Sequence, residues 1–578
     1  MPEELNVGRG DPAYMAHAYL TKVPVLAIEP FIDAYSPPGG TVADPFAGSG
    51  MTGVAAAMSG RKGRLFDISV LGQHIGRNYV NLVDPEQFAK HAEEVVHAAQ
   101  AEVGDVYAVE CAACGRMGTL AKTVWSVVVE CSECKEPVNY YRSMEAAGWR
   151  KPDMVCGGCR ATVSSRNQRI GEEPVLDSIS SQCSSIQLDQ RPSINSVSFD
   201  LESLDYPRVA ITPDRQMYKA SALGKSGMTT IASFYSERNL AVLTTLRKHI
   251  SKVEDVAIRN KLLFAFTACL TRASKRYQWS RQRPLNAANA NYYVAAVFYE
   301  WNVYELFLRK VKAILKSDNF LRAARKVRVE PSDVDNPDVS YNVGSADRIA
   351  LEDGSVDYIF TDPPFGSNLF YADMALFQEA WLDGFTDVNQ EAVIDRSRGG
   401  KRTAERYEAL LTGALRECNR ILRAGGYISM VFGNSSGKVW GLIQRSIANA
   451  GLMIDPEKLV VLNKGQRSVK GLASGFEDVA TLDLIITMRE ADGEVPETLT
   501  AVDGETVAAT IKNLANISPA TPSHLYLELL RTGIRKGWEL DKLDLRNVTA
   551  ALTADGWDID PKTGRLSKDE TGEREALW

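Results

Sequence analysis

The run VDYIFTDPPF, residues 356–365, ends an apolar segment in a carboxylate and two prolines: Asp362, Pro363, Pro364 and then Phe365. Each proline fixes φ and lacks an N–H, so the loop is rigid and its carbonyls are not consumed by a strand ladder. Such a loop suits chemistry on an exocyclic amine. The Asp362 carboxylate and the Pro363 carbonyl can both accept hydrogen bonds from an amino group, drawing its lone pair out of ring conjugation toward an electrophile. Phe365 offers an aromatic face on which an extruded base can stack. An activated electrophile would need only positioning and electrostatics, with no covalent nucleophile. The plainer alternative is a proline turn that caps a strand. Against it stands a second segment about 310 residues upstream, Asp44-Pro45-Phe46-Ala47-Gly48-Ser49-Gly50.

In TVADPFAGSGMTG a hydrophobic strand runs into a glycine-rich turn and then a helix. Gly48 and Gly50 let backbone approach a ligand where a side chain would collide. No Gly-Lys-Ser/Thr follows, so this is not a Walker loop. Asp67 ends the next strand, 23 residues beyond Asp44. An acid there is placed to hold ribose hydroxyls; its alternative is a helix cap, which Ser69 serves equally well. Asp347, in GSADRIALEDGSVDYIF, falls where a loop after another strand would meet an adenine.

The elements that must position these residues follow βαβ rhythm, hence a parallel sheet. VLAIEPFIDAY reads as a helix, TVADPF as a buried strand, GMTGVAAAMS as a helix, RLFDIS as a strand and SVLGQHIGRNYVNLV as a helix. Residues 163–225, rich in Ser, Gln, Asn and Asp, read as a linker or long loop. Residues 230–328 carry helical apolar spacing. The βα rhythm resumes at VDYIFTDPPF, with helices through ALFQEAWLDGF and YEALLTGALRECNRIL and strands at GYISMVFGN and VATLDLIITM. Residues 490–578 read as a small helical appendage, with TPSHLYLELLRTGIRKG its clearest helix. No internal repeat is visible. At 578 residues the chain is long enough for two to four domains. Its start lacks the apolar core of a signal peptide and no run of 18 apolar residues follows, so a soluble cytoplasmic protein is expected.

Six of the nine cysteines form Cys-x-x-Cys pairs: Cys111/Cys114, Cys131/Cys134 and Cys156/Cys159. Three pairs within 49 residues point to metal rather than redox chemistry. The first two pairs have Cys-x2-Cys-x16-Cys-x2-Cys spacing, that of a zinc ribbon, and are the preferred ligands of one structural zinc. The second and third pairs, 21 residues apart, are nearly as suitable, and a shared cluster stays open. Cys183, Cys269 and Cys418 read as inert.

The net charge of −7 excludes a protein coated in basic residues, but the charge is uneven. Residues 271–328 hold 13 Lys/Arg against Glu300, Glu305 and Asp318, whereas residues 490–578 carry a net −7. A basic middle and an acidic tail suit a protein that meets a polyanion on one face. Lys275, Arg276, Arg281 and Arg283 interleave with Tyr277 and Trp279, a pattern for phosphate contact and stacking. The loop around Arg396, Arg398, Lys401 and Arg402, and the segment with Gln466, Arg467 and Lys470, are further candidates. Solvated helix surface is the alternative for each.

Taken together, HAYLTKVP, DPFAGSG, FDIS with RNY, the cysteine pairs, FYSERNL, TDPPFGSNLFYADM, QRSVKG and DLIITM resemble the N6-adenine/N4-cytosine class of DNA methyltransferases. More narrowly, they resemble the bacterial members that carry a zinc-ribbon-like cysteine insert. The resemblance spans roughly residues 14–490. It implies S-adenosylmethionine as methyl donor, a structural zinc, double-stranded DNA as partner and base flipping. It also implies a tie to restriction-modification or phage defence, with companion subunits from such systems. The implied fold class is α/β: a Rossmann-like methyltransferase sheet interrupted by a zinc-binding insert and a helical domain, with a small helical C-terminal domain. The implied organisation is two methyltransferase halves at 1–105 and 331–490, zinc insert 106–165, linker 166–229, basic DNA-contacting helical region 230–330, and acidic helical domain 491–578. His17, Tyr19 and Lys22 fall in the segment over the methionine end of the cofactor. Asp44, Phe46, Ala47, Gly48, Ser49, Gly50 and Thr52 fall in the cofactor loop, with Asp67, Ile68, Asp347 and Asp362 completing that site. Asp362, Pro363, Pro364 and Phe365 fall in the catalytic loop. An initial aspartate and final phenylalanine are more typical of adenine than of cytosine enzymes; related RNA enzymes use similar tetrapeptides. One departure is the long separation of the two motifs, so the family's permutation labels do not transfer cleanly.

Overall fold

A computed structural model describes residues 1–192, 199–281, 292–366, 369–395, 402–465, 481–491, 493, 499–518, 520–560 and 564–568. In chain order the strands are β1 (Glu4–Asn6), β2 (Thr41–Asp44), β3 (Lys62–Asp67), β4 (Ala108–Glu110), β5 (Met117–Glu130), β6 (Pro137–Asn139), β7 (Arg169–Ser180) and β8 (Leu188–Gln190). They continue with β9 (Val297–Trp301), β10 (Val339–Val343), β11 (Val356–Thr361), β12 (Leu422–Phe432), β13 (Leu452–Asn463), β14 (Asp483–Glu490), β15 (Trp557–Ile559) and β16 (Leu566–Lys568).

The main sheet has the order β1-β13-β14-β12-β11-β2-β3-β10. Only β14 runs antiparallel to its neighbours. The α/β class expected from sequence therefore holds. Strands β2 and β11, which carry the two motifs, are adjacent and parallel, with Tyr358 opposite Val42 and Ile359 opposite Ala43. Both are almost wholly apolar before their terminal polar residue, as strands covered on two faces must be. From β2 the chain moves outward to β3 and β10, and β11 returns to the other side of β2. The motifs thus share the point where strand order reverses, at the carboxyl ends of the strands, where open α/β sheets bind ligands.

The separation of the motifs has a simple topological form: residues 68–338 are one enlarged connection between the parallel neighbours β3 and β10. It contains a second, antiparallel sheet. Its spine is β5, paired with β7 along one edge and with β4, β9 and β6 in turn along the other. Two expectations are corrected here. The segment 166–229, read as linker, contains the twelve-residue β7 and also β8. Its serines and acids conceal the strand: Asp177 and Ser178 are buried beside Ile179, and all three pair with β5. The block 230–328 is helical at Glu237–Ser251, Val256–Ala273 and Val303–Arg325, but β9 interrupts it and joins the cysteine-bearing sheet.

The helix Val303–Arg325 returns the chain to the main sheet, packing on the helices Pro12–Ala16 and Val256–Ala273. Its last arginine, Arg325, is buried and donates to the carbonyls of Ala57 and Val334. Lys261 and Asp318 form a fully buried ion pair at 2.8 Å, with Asn78 O as a second acceptor for the ammonium. The helices Gly504–Ile517, Pro522–Arg535 and Leu545–Ala554 follow β14, and a bond from Gly437 N to Asp544 ties them to the helix Gly437–Asn449. Among the described residues no helix is long and apolar enough to cross a membrane.

Candidate active site and cysteine clusters

The two motifs are bonded to each other. Asp44 Oδ1 accepts from Thr361 Oγ1 (2.8 Å) and Phe46 N (3.0 Å), and its Oδ2 accepts from Thr52 Oγ1 (2.6 Å). Burial pushes its pKa up to about 7 against these bonds. Asp44 is 3% exposed and holds the loop in shape as well as edging the pocket. Asp67 is shared likewise: it accepts from Gly48 N (2.8 Å) and Ser69 N (2.9 Å), which fixes the glycine turn to the next strand. Ser69 takes the helix cap, accepting from Gly72 N.

These residues line one pocket of about 1020 Å³, its open mouth included. Of the expected cofactor residues it gathers Tyr19, Lys22, Asp44, Phe46, Ala47, Gly48, Ser49, Thr52, Asp67, Ile68, Asp347 and Asp362, and it adds Tyr371 and Glu391. His17 and Gly50 do not line it. The His17 ring stacks on Phe264 at 4.9 Å and bonds Thr267, which fixes the segment from behind. Gly50 is left-handed (φ 80°), and a Cβ there would lie 2.7 Å from Gly76 Cα, so this glycine serves helix packing rather than ligand approach. At Gly48 (φ 50°) a Cβ would sit 3.3 Å from the Tyr19 ring, beside the pocket. Lys22 is buried, donates to Tyr14 O and His17 O, and is pushed down to about 7 by that burial.

The residues present fit S-adenosylmethionine. Asp347 Oδ1 is buried without a hydrogen bond, its nearest cation Arg348 at 3.8 Å, so it awaits a donor such as an adenine amine. The glycine turn at a helix start and the Asp67 carboxylate stand where a nucleoside's sugar would lie. Tyr19 and Tyr371 add aromatic walls. Tyr371 had no signal in the sequence beyond its place in FYADM.

The Asp362-Phe365 loop is held from both sides. Tyr407 Oη donates to Pro364 O (2.5 Å) and Asn434 Nδ2 to Phe365 O (2.8 Å). Among the described residues nothing donates to the Asp362 carboxylate or the Pro363 carbonyl. Burial pushes Asp362 up to about 7, with Lys464 opposing and Asp483 and Asp44 reinforcing. Lys464, itself bonded to Asp483 at 2.6 Å, keeps its charge: burial works against it, but Asp483 and Asp362 hold its pKa above the usual value. The Phe365 ring packs on Phe432 at 5.0 Å and is half-buried outside the pocket lining.

The basic candidates fare differently. Arg276 is corrected: it is 3% exposed, sandwiched between Tyr292 and Phe377 at 5.0 and 4.9 Å, and cannot reach a phosphate. Lys275 pairs with Glu172 at 2.7 Å and Arg402 with Glu391 at 2.6 Å, each little exposed. Trp279 packs on Tyr141 and Trp149, with Arg281 over Trp149 at the surface. Arg283, Arg396, Arg398, Lys401, Arg467 and Lys470 lie outside the described residues.

The preferred zinc ligands are also corrected. Cys131, Cys134, Cys156 and Cys159 cluster with all sulfurs within 4.8 Å, and Sγ–Sγ distances are 3.5 Å for Cys131–Cys159 and Cys134–Cys156. A zinc with Zn–S near ~2.3 Å sets tetrahedral sulfurs about 3.8 Å apart, so this set fits a structural zinc. Cys111 and Cys114 cannot join it. The sixteen residues between the first pairs contain the extended β5, which at about 3.4 Å per residue holds the pairs on the order of 40 Å apart.

Residues 4–84 match the family model N6_N4_Mtase, described as DNA methylase. That stretch holds the cofactor loop and Asp67 but stops far short of Asp362. No curated protein matches. Similar solved structures include a geranyl diphosphate methyltransferase in complex with SAM (13% identity, TM-score 0.17, covering 30% of this chain and 65% of that one). Another is geranyl diphosphate C-methyltransferase from Streptomyces coelicolor A3(2) with S-adenosyl-L-homocysteine (12% identity, TM-score 0.17, 30% and 62%). This chain thus spans less than two thirds of either one's length.

Proposed function

We propose that this protein transfers a methyl group from S-adenosylmethionine to adenine N6 in double-stranded DNA, acting on a base turned out of the helix. The observation that carries the reading is the pairing of the two motif strands. Asp44 and Thr361 bind each other, so the glycine turn and the Asp362 loop open into one pocket. The bound cofactor would supply an activated methyl group; all else falls to the chain's own residues. Asp362 and the Pro363 carbonyl, both without donors among the described residues, would accept the two amino hydrogens and orient the nitrogen lone pair. The rigid prolines hold both acceptors in place. Tyr371, in the pocket wall, and Phe365, beside it, are the aromatic groups near a flipped base.

The preference for adenine rests on the aspartate that opens the tetrapeptide and the phenylalanine that closes it. Asp362→Ala should abolish methylation while S-adenosylmethionine binding, read by calorimetry, survives; methylation at the wild-type rate would end the assignment. Nucleoside mass spectrometry of treated DNA and RNA should find N6-methyladenine in DNA. N4-methylcytosine, or label in RNA alone, would overturn the choice of base.

A further inference from the structure

Cys183, which no sequence pattern marked, stands beside the Cys-x-x-Cys pair left out of the four-cysteine cluster. Cys111, Cys114 and Cys183 place their sulfurs within 4.8 Å of one another, with Cys111 Sγ to Cys183 Sγ at 3.6 Å. That distance is close to the edge of a thiolate tetrahedron around zinc, about 3.8 Å. Ser181 supplies an oxygen at 3.6 Å from Cys114 Sγ and 3.4 Å from Cys183 Sγ. Three sulfurs and one hydroxyl therefore converge on one point.

The backbone gives independent support. Cys111 N donates to Arg116 O and Gly115 N to Cys111 O, with Gly115 left-handed at φ 68°. The two loops of the four-cysteine cluster are built the same way. Cys131 N donates to Glu136 O and Lys135 N to Cys131 O; Cys156 N donates to Ala161 O and Arg160 N to Cys156 O. Lys135 and Arg160 are both left-handed at φ 64°, a conformation that costs a non-glycine residue energy and is kept where the surroundings demand it. All three loops are thus the same metal-binding knuckle, and the first has its own partner. The β5–β7 pairing sets Thr119 opposite Ser180, which delivers the Ser181–Cys183 turn to the first knuckle. Gln190 fastens the other side, its Oε1 accepting from Ala112 N and its Nε2 donating to Glu110 O.

We infer that Cys111, Cys114 and Cys183 form a second binding site for a thiophilic divalent cation of the zinc class, completed by Ser181 or a water. Binding exchanges the thiol protons for the metal and needs no oxidant. The two sites then lie at opposite ends of β5, one closing each end of the cysteine-bearing sheet. The site is independent of the methyl-transfer reading.

The full-length protein, purified under reducing conditions, incubated with zinc and freed of excess, should carry two zinc ions per chain by elemental mass spectrometry. Cys183→Ala should leave one, as should Cys156→Ala, with circular dichroism confirming the fold of each. A second readout needs no variant: Cys183 is exposed, so iodoacetamide should modify it after chelation and not when zinc is bound. One zinc in the wild type, two retained in Cys183→Ala, alkylation of Cys183 unaffected by zinc, or a Cys111–Cys183 disulfide under these conditions would each overturn the site.

Discussion

Replacing Thr361 by valine removes one hydroxyl and keeps the side chain's shape. That hydroxyl joins the motif strands by donating to Asp44 at 2.8 Å, with Thr361 1% and Asp44 3% exposed. A lost bond to a charged group costs about 1.5–3 kcal/mol, and to a neutral one about 0.5–1.5 kcal/mol. Which applies depends on pH, because burial pushes Asp44 up to about 7 and the Thr361 bond holds it from rising further. A folded pKa above the unfolded value of 3.8 favours the native state in acid, and that contribution fades as pH climbs toward 7. Valine raises the folded pKa again, so the variant keeps losing stability above pH 7 where the wild type has levelled off. A rise of ~1 unit is worth about 1.4 kcal/mol. The deficit should therefore be about 0.5–1.5 kcal/mol at pH 6 and larger by about 1–2 kcal/mol at pH 8.5. Urea denaturation at both pH values, followed by tryptophan fluorescence, gives the comparison. Equal deficits at the two pH values would refute the claim that Asp44 titrates in that bond.

Two further outcomes follow from the same site. Gly72→Ala would drive a Cβ into Gly48 O and set it 2.7 Å from Tyr341 Oη, so the cofactor turn must move. The expected cost is about 1–3 kcal/mol, which, if the turn bears it, weakens S-adenosylmethionine binding roughly ten- to a hundredfold. Calorimetry beside Gly8→Ala, where nothing lies within 4 Å, is the check, and equal affinities would sink it. Methyl transfer should rise with pH through about 7 as Asp362 ionises, and Lys464→Met should move that rise to higher pH by removing the cation that opposes burial. A profile of kcat/KM that stays in place would show that Asp362 does not set it.

The chemistry-bearing motifs were legible because each couples an apolar strand to residues with little freedom: prolines in one, glycines in the other. Their adjacency was not, since strand order depends on contacts between residues more than three hundred positions apart. The helices Val25–Tyr35, Val70–Val80 and Pro522–Arg535 follow their apolar spacing closely. Strand β7 was hidden because six of its ten residues paired with β5 are polar or charged, and β9 because a five-residue strand leaves little period to read between two long helices. The zinc ligands were misassigned for a physical reason. Spacing counts residues, whereas distance depends on whether they turn back or run straight, and β5 runs straight. Arg276 misled in the converse way: a cation beside aromatic residues can mark either a phosphate surface or an internal stack, and only burial separates the two.

The large insertion is tolerated because of where it enters. A parallel β-to-β connection must cross a face of the sheet whatever its length, and loop-closure entropy grows only slowly with added residues. The cost lies in keeping β3 and β10 in register across 271 intervening residues, 68 through 338. That register matters for function, since β3 ends in Asp67 and β10 leads into Asp347, two walls of the same pocket. The connection is therefore anchored where it leaves and where it returns. Lys261 joins Asp318 to the carbonyl of Asn78, on the first helix after β3. Arg325 reaches the carbonyls of Ala57 and Val334, and Arg328 pairs with Asp33 and Glu29 on the helix before β2. Of the 13 Lys/Arg in residues 271–328, Arg325 and Arg328 belong to this anchoring set. That set's positive charge is used inward, to hold the pocket's two distant halves in one geometry.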